Sequence, residues 1–251
     1  MLNVETYGAG GPPLLIAHGL FGSARNWGAI AKRLASTREV RVPDLRNHGE
    51  SPSTESHSYA GMACDLAPLA GGDVLGHSMG GKAAMALALT DPERVARLIV
   101  ADIAPVAYSH SQTPLIHAMR DIDLSRVETR GDADRQLARS VEDPGVRAFL
   151  LQSLDVKNRR WRLNLDVLEA EMEKITGWEE IAGVFEGPTL FLSGANSDYV
   201  QRGHREKIRR LFPAAKFASI PGAGHWLHAE KPQEFVAAVE TFLSMTDASS
   251  G

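Results

Sequence analysis

A single cysteine, Cys64, stands in a chain of 251 residues, so neither an internal disulfide nor a multi-cysteine metal site can form. That usage fits a reducing compartment. Long apolar runs are missing as well: none approaches the roughly 18 residues needed to span a bilayer, and even Ala83 to Thr90 is bounded by Lys82 and Asp91. An integral membrane protein is not expected. The opening stretch Met1-Leu2-Asn3-Val4-Glu5-Thr6 has no basic residue, and Pro12, Pro13 and His18 interrupt the early apolar segment, so a secretory signal is not expected either. Nor is there a surplus of positive charge, since 27 Lys and Arg face 31 Asp and Glu for a net charge of −4. A nucleic-acid partner therefore has no electrostatic footprint. Repeats and low-complexity tracts are absent. What is present, 43% hydrophobic and 23% charged residues, is the balance of a globular chain. The expectation is a cytoplasmic protein of one or two domains.

The N-terminal hundred residues alternate short apolar runs with helical patterns, as in a parallel sheet whose strands are joined by crossover helices. The class is α/β. Leu14 to Ala17, Val40 to Leu45, Asp73 to Leu75 and Leu98 to Ala101 read as strands. Trp27, Ile30, Ala31 and Leu34 recur at helical spacing and mark one apolar face, while Met79 to Leu89 has strong helix propensity. From about Ala104 to Glu186 charged helical segments take over with no strand-like run. This reads as an inserted lid, in which Phe149, Trp161, Trp178 and Phe185 supply bulky apolar surface. Strands resume at Thr189 to Leu192 and Lys216 to Ile220, followed by an amphipathic helix begun by Pro232. The tail from Met245 to Gly251 is expected to be loose.

Gly76-His77-Ser78-Met79-Gly80 lies between a strand and a helix, the context of the G-x-S-x-G nucleophile elbow. A serine in that sharp turn is strained, and its neighbours two residues away crowd the turn unless they lack a Cβ. Ser78 would then sit at a helix N-terminus, where partial positive charge favours a developing oxyanion. With 23 glycines a chance match is the bland alternative. A rival reading overlaps it, since Gly76-x-x-x-x-Gly81-Lys82 also fits a phosphate-binding loop. It fails because position 83 is Ala, with no hydroxyl to hold a magnesium ion. Two further segments favour the elbow. His18-Gly19-Leu20-Phe21-Gly22 follows an early strand, where the backbone N–H of Leu20 can join that of Met79 in an oxyanion hole. Gly222-Ala223-Gly224-His225-Trp226 follows the last strand, and a general base in this architecture comes last in the chain, as His225 does. His18, His48 and His77 read as structural side chains.

These stretches, with Asp44-Leu45-Arg46-Asn47-His48-Gly49, Asp102-Ile103-Ala104-Pro105-Val106 and the run from Trp226 to Pro232, resemble the α/β-hydrolase family, and in particular its YbfF-like esterases. The resemblance covers about Leu14 to Leu243. It implies a mostly parallel sheet flanked by helices, with residues 1–103 and 187–251 as the core and 104–186 as a helical cap. It also implies a serine esterase acting on carboxylic esters and acyl thioesters. One departure is local: the segment from Asp65 to Gly76 is short, which should shrink the helix before the elbow strand.

The triad acid must accept a hydrogen bond from the Nδ1 side of His225. In many α/β-hydrolases it follows the strand after the cap, in a pattern that reads here Gly194-Ala195-Asn196-Ser197-Asp198-Tyr199-Val200. The acid position holds Ser197, and Asp198 is one residue late. Asp102, at the end of the preceding sheet strand, is the site that the most similar family members use. It is preferred, with Ser197 as an auxiliary partner. Arg46, Asn47 and His48 read as a structural loop and Arg159, Arg160 and Arg162 as a solvated cap face. The expected chemistry is acyl transfer to water, with Ser78 as nucleophile, His225 as base and Asp102 as its orienting acid. No metal or organic cofactor is required, and the partner is a small-molecule ester or thioester. Carbon–carbon bond hydrolases and cofactor-free lyases share the triad, and a non-catalytic ligand-binding relative is the remaining alternative. Physiological substrate and oligomeric state are not legible.

Overall fold

The computed structural model describes residues 1–245, so the expectation of a loose tail lies, beyond Met245, outside the described residues. Seven strands form one sheet: β1 Val4–Tyr7, β2 Leu14–Ala17, β3 Val40–Pro43, β4 Gly72–His77, β5 Val95–Ala101, β8 Thr189–Gly194 and β9 Ala215–Ile220, in the spatial order β1-β3-β2-β4-β5-β8-β9. Only β1 runs antiparallel, against β3. The expected α/β class and mostly parallel sheet are what the chain adopts. The edge strand β1 is an addition: its sequence Val-Glu-Thr-Tyr is short, polar and half-buried, and carries little apolar signal.

Strand side chains alternate between two apolar layers, as the period of two requires. Leu14 and Ile16 of β2 with Ile99 of β5 face a layer containing Trp27, Ile30 and Leu34 of α1 (Ala24–Leu34) and Phe235 and Val239 of α11 (Pro232–Ser244). Leu15, Leu98 and Val100 face the opposite layer, with Met62 of α2 (Tyr59–Leu66), the α3 helix (Met79–Thr90) and Ile208 of α9 (Arg205–Leu211). Between Asp65 and Gly76 the chain holds the last turn of α2 and one 3₁₀ turn, Ala67–Leu69, before β4 begins. Every residue of α3 from Met79 to Leu89 is buried, Lys82 included. A helix apolar on all sides belongs in the middle of a core, and α3 sits between sheet and α2.

Between β5 and β8 the chain forms α4 Thr113–Arg120, α5 Arg130–Leu137, α6 Pro144–Leu150, α7 Leu165–Ala170 and α8 Met172–Thr176. A two-stranded ribbon, β6 Leu154–Asp155 against β7 Arg160–Trp161, interrupts them and corrects the reading that this segment lacks strands. Two residues per strand are too few for a periodic signal. Arg162 is also not a solvated face residue: it pairs with buried Asp155 and with Glu50 across to the loop after β3. Asn47 is buried and binds the same segment, accepting from the Asn164 backbone N–H at 2.9 Å and from its Nδ2 at 3.1 Å. The Arg46 guanidinium pairs with Asp65, so the loop after β3 is structural, as read. After β9, the short helix α10 (Leu227–Glu230) leads into α11.

Candidate active site

The turn from β4 into α3 holds Ser78 at φ 53°, ψ −121°, a conformation that a side chain adopts only under strain. The packing around it explains both glycines. A Cβ on Gly76 would stand 2.2 Å from the Gly80 carbonyl oxygen, and one on Gly80 would stand 2.3 Å from that of Ala17. Backbone fills both places, so no flexible neighbour can yield.

Ser78 Oγ donates to His225 Nε2 at 3.0 Å, and His225 Nδ1 donates to Asp102 Oδ2 at 2.7 Å. Asp102 follows β5 at φ 51° and is fully buried. Its carboxylate is matched by three donors: His225, the Gly194 N–H at 3.0 Å, and the Ser197 hydroxyl. Ser197, anticipated as an auxiliary partner of His225, bonds the Asp102 carboxylate instead. The Asp198 side chain is exposed; among the described residues its carboxylate makes no hydrogen bond to His225, and its backbone carbonyl accepts from Gln201 Nε2 at 3.1 Å. The structure thus brings Ser78, His225 and Asp102 into one chain of hydrogen bonds.

Leu20 and Met79 line the same cavity as Ser78, and their backbone N–H groups have no partner among the described residues. The loop carrying Leu20 is held by neutral histidines. His18 Nε2 accepts from the Leu45 N–H at 2.9 Å while its Nδ1 donates to the Gly19 carbonyl. His48 Nε2 accepts from the Phe21 N–H at 3.2 Å while its Nδ1 donates to the Arg46 carbonyl. Burial pushes the basicity of both below the ordinary histidine range, which keeps each ring as a donor–acceptor pair. His77 is buried likewise, held well below that range by burial, and its Nε2 donates to the His225 carbonyl at 2.8 Å, fixing the base's backbone. His228, pushed down to about 3 by burial, stacks on Trp27 with ring centroids 4.2 Å apart.

One residue escaped the sequence reading. The Tyr199 ring stacks on the His225 ring at 3.9 Å and 18°, and its hydroxyl meets His110 Nε2 at 2.7 Å. Nothing in the order Ser197-Asp198-Tyr199 signals that contact. The cavity over Ser78 has a volume of about 490 Å³ and a mainly apolar wall, with Leu115, Val146 and Phe149 from the inserted helical segment facing Leu20, Met79 and Ile103 of the sheet side. A strained serine, a histidine hydrogen-bonded to it and to a buried carboxylate, and two free amides beside an apolar cavity form an arrangement that fits the chemistry of a serine hydrolase.

Comparison with known proteins agrees. Residues 14–239 match the model of the alpha/beta hydrolase family, and the chain belongs to that family. It is 43% identical over 249 residues to the sn-1-specific diacylglycerol lipase ABHD11 of Mus musculus, covering 93% of this chain and 81% of that protein. It is 37% identical to the esterase YbfF of Escherichia coli, covering 92% and 93% respectively. Among solved structures, a marine microorganism esterase is 38% identical and superposes with a TM-score of 0.91, covering 96% of this chain and 98% of that one. The expected resemblance to YbfF-like esterases is thereby met. No helix among the described residues is long and apolar enough to cross a membrane.

Proposed function

We propose that this protein hydrolyses carboxylic esters, and acyl thioesters with them, through an acyl-enzyme on Ser78, with residues 104–186 acting as the cap over the acyl cavity. The chain is an enzyme of the carboxylesterase type. The observation that carries the residue roles is the hydrogen-bonded chain from Ser78 through His225 to Asp102. His225 Nε2 takes the Ser78 proton as Oγ attacks the ester carbonyl, and the imidazolium is stabilised by the Asp102 carboxylate. The free amides of Leu20 and Met79 receive the oxyanion. The imidazolium then gives its proton to the leaving alcohol or thiol. Water, activated by the same histidine, attacks the acyl-enzyme and releases the acid. The groups supplying nucleophile, base and electrostatic stabilisation are all protein groups, and the single cysteine supports a cytoplasmic setting.

Steady-state hydrolysis of p-nitrophenyl acetate and butyrate tests this reading. The wild-type protein should turn over both, and Ser78→Ala should lose roughly 10⁴-fold or more in kcat with its melting transition retained. Folded Ser78→Ala with more than a tenth of wild-type activity would refute the serine mechanism. A protein that binds but does not hydrolyse any ester would be a ligand-binding relative instead.

A further inference from the structure

Lys82 lies one helical turn beyond Ser78 on α3 and is the only lysine or arginine among the described residues lining the cavity. It is 1% exposed. Its ammonium donates to the carbonyl oxygens of Thr176, at 3.0 Å, and Gly177, at the end of α8. It also sits over the rings of Tyr108 and Tyr59, 4.8 and 5.6 Å from their centroids. Thr176, Tyr59 and Tyr108 all line the cavity, so the ammonium stands at its wall. Among the described residues no carboxylate neutralises it: Glu142 and Asp143, the acidic residues of the wall, are exposed, and no acidic group offsets its burial. Carbonyls and rings solvate the charge without cancelling it.

We propose that Lys82 anchors a carboxylate at the far end of the acyl chain, so that the site takes half-esters of short dicarboxylic acids; this rests on the ester-hydrolase reading above. A cavity serving plain alkyl chains gains nothing from a buried cation, and an alkyl side chain of equal volume would be more stable there. A substrate carboxylate supplies the missing counter-charge and occupies the donor capacity left by two carbonyl acceptors. Position sets the length. The Lys82 N–H donates to the Ser78 carbonyl at 3.1 Å, so the lysine stands one turn from the nucleophile and the matching acyl chains are short ones, from succinyl to adipyl. Burial lowers the ammonium to about 7, and a bound carboxylate would restore its charge.

The test compares kcat/KM, by pH-stat, for monoethyl adipate against ethyl hexanoate and for monoethyl succinate against ethyl butyrate. Wild-type protein should favour the better-fitting half-ester at least about tenfold, and Lys82→Met should reduce that preference ratio roughly 10- to 100-fold, the range of one charge-assisted hydrogen bond. A preference for the neutral esters, or a ratio that Lys82→Met leaves unchanged, overturns the proposal and leaves Lys82 as a tie between α3 and α8. If Lys82→Met fails to fold, competition in the wild type decides: hexanoate should inhibit ethyl butyrate hydrolysis at least about tenfold more tightly than the uncharged hexanamide, and equal inhibition overturns the proposal. Wild-type protein that hydrolyses neither series defeats the ester-hydrolase reading itself.

Discussion

Replacing Asp102 with asparagine keeps the shape of the side chain and removes its charge, and the three donors around it dictate how the amide must sit. Asp102 Oδ1 accepts from the Gly194 N–H at 3.0 Å, and Oδ2 accepts from His225 Nδ1 at 2.7 Å and from the Ser197 hydroxyl. In the variant, the amide oxygen facing Gly194 puts the NH₂ group against His225. Nδ1 must then become the acceptor, the ring proton moves to Nε2, and Ser78 loses its base. The opposite flip places NH₂ against a buried N–H, leaving a donor unsatisfied at about 1–3 kcal/mol. The first arrangement prevails, so kcat for p-nitrophenyl butyrate should fall by about 10⁴-fold while the fold is retained. Thermal melting must accompany the assay, because loss of a strained, strand-end aspartate can also destabilise. Asp198→Asn should stay within about threefold of wild type, as its carboxylate makes no hydrogen bond to His225. Near-normal turnover by Asp102→Asn, or a severe loss in Asp198→Asn, would refute the assignment.

Other perturbations follow from the packing around the site. Gly80→Ala places a Cβ 2.3 and 2.4 Å from the carbonyl oxygens of Ala17 and His18, so β2 and α3 must separate; urea unfolding should show a loss of at least about 2 kcal/mol, and an unchanged midpoint would contradict the close approach. Lys82 is lowered from 10.5 to about 7 in the fold, so its burial costs nothing above pH 10.5, costs progressively more as pH falls to about 7, and is constant below that. The stability of Lys82→Met relative to wild type should therefore increase from pH 10 to pH 7, by a few kcal/mol, and a flat difference across that range would rule out the buried charge. Tyr199→Leu removes the ring stacked on His225 and should lower kcat several-fold more than Tyr199→Phe, which keeps the stack; equal values would show that the ring face does not matter.

The parts of the site that rest on local geometry were legible in the sequence. Gly76 and Gly80 announce Ser78 because only glycine tolerates backbone at 2.2–2.3 Å from its Cβ position, a constraint that for Gly76 comes from Gly80 within the elbow and for Gly80 from Ala17 on the neighbouring strand. His225 follows from chain order, and Asp102 from the family resemblance once Ser197 is seen to occupy the usual acid position. The antiparallel edge strand β1 and the ribbon of β6 and β7 were missed, since short polar strands are decided by partners distant in the chain. The same holds for Arg162, which the charge pattern placed in solvent and the fold pairs with Asp155 and Glu50. Tyr199 on His225 has no signature at sequence level, and for His18 and His48 the sequence points to a structural role but not to the partners under the Leu20 loop.

The central claim is that Ser78 is the nucleophile, and covalent labelling measures it most directly. Wild-type protein treated with a fluorophosphonate should gain one phosphonyl group per chain, mapped by peptide mass spectrometry to Ser78, with ester hydrolysis lost in proportion to labelling. Ser78→Ala should remain unlabelled. Full labelling at another residue, or ester hydrolysis that persists after Ser78 is fully modified, would contradict the account.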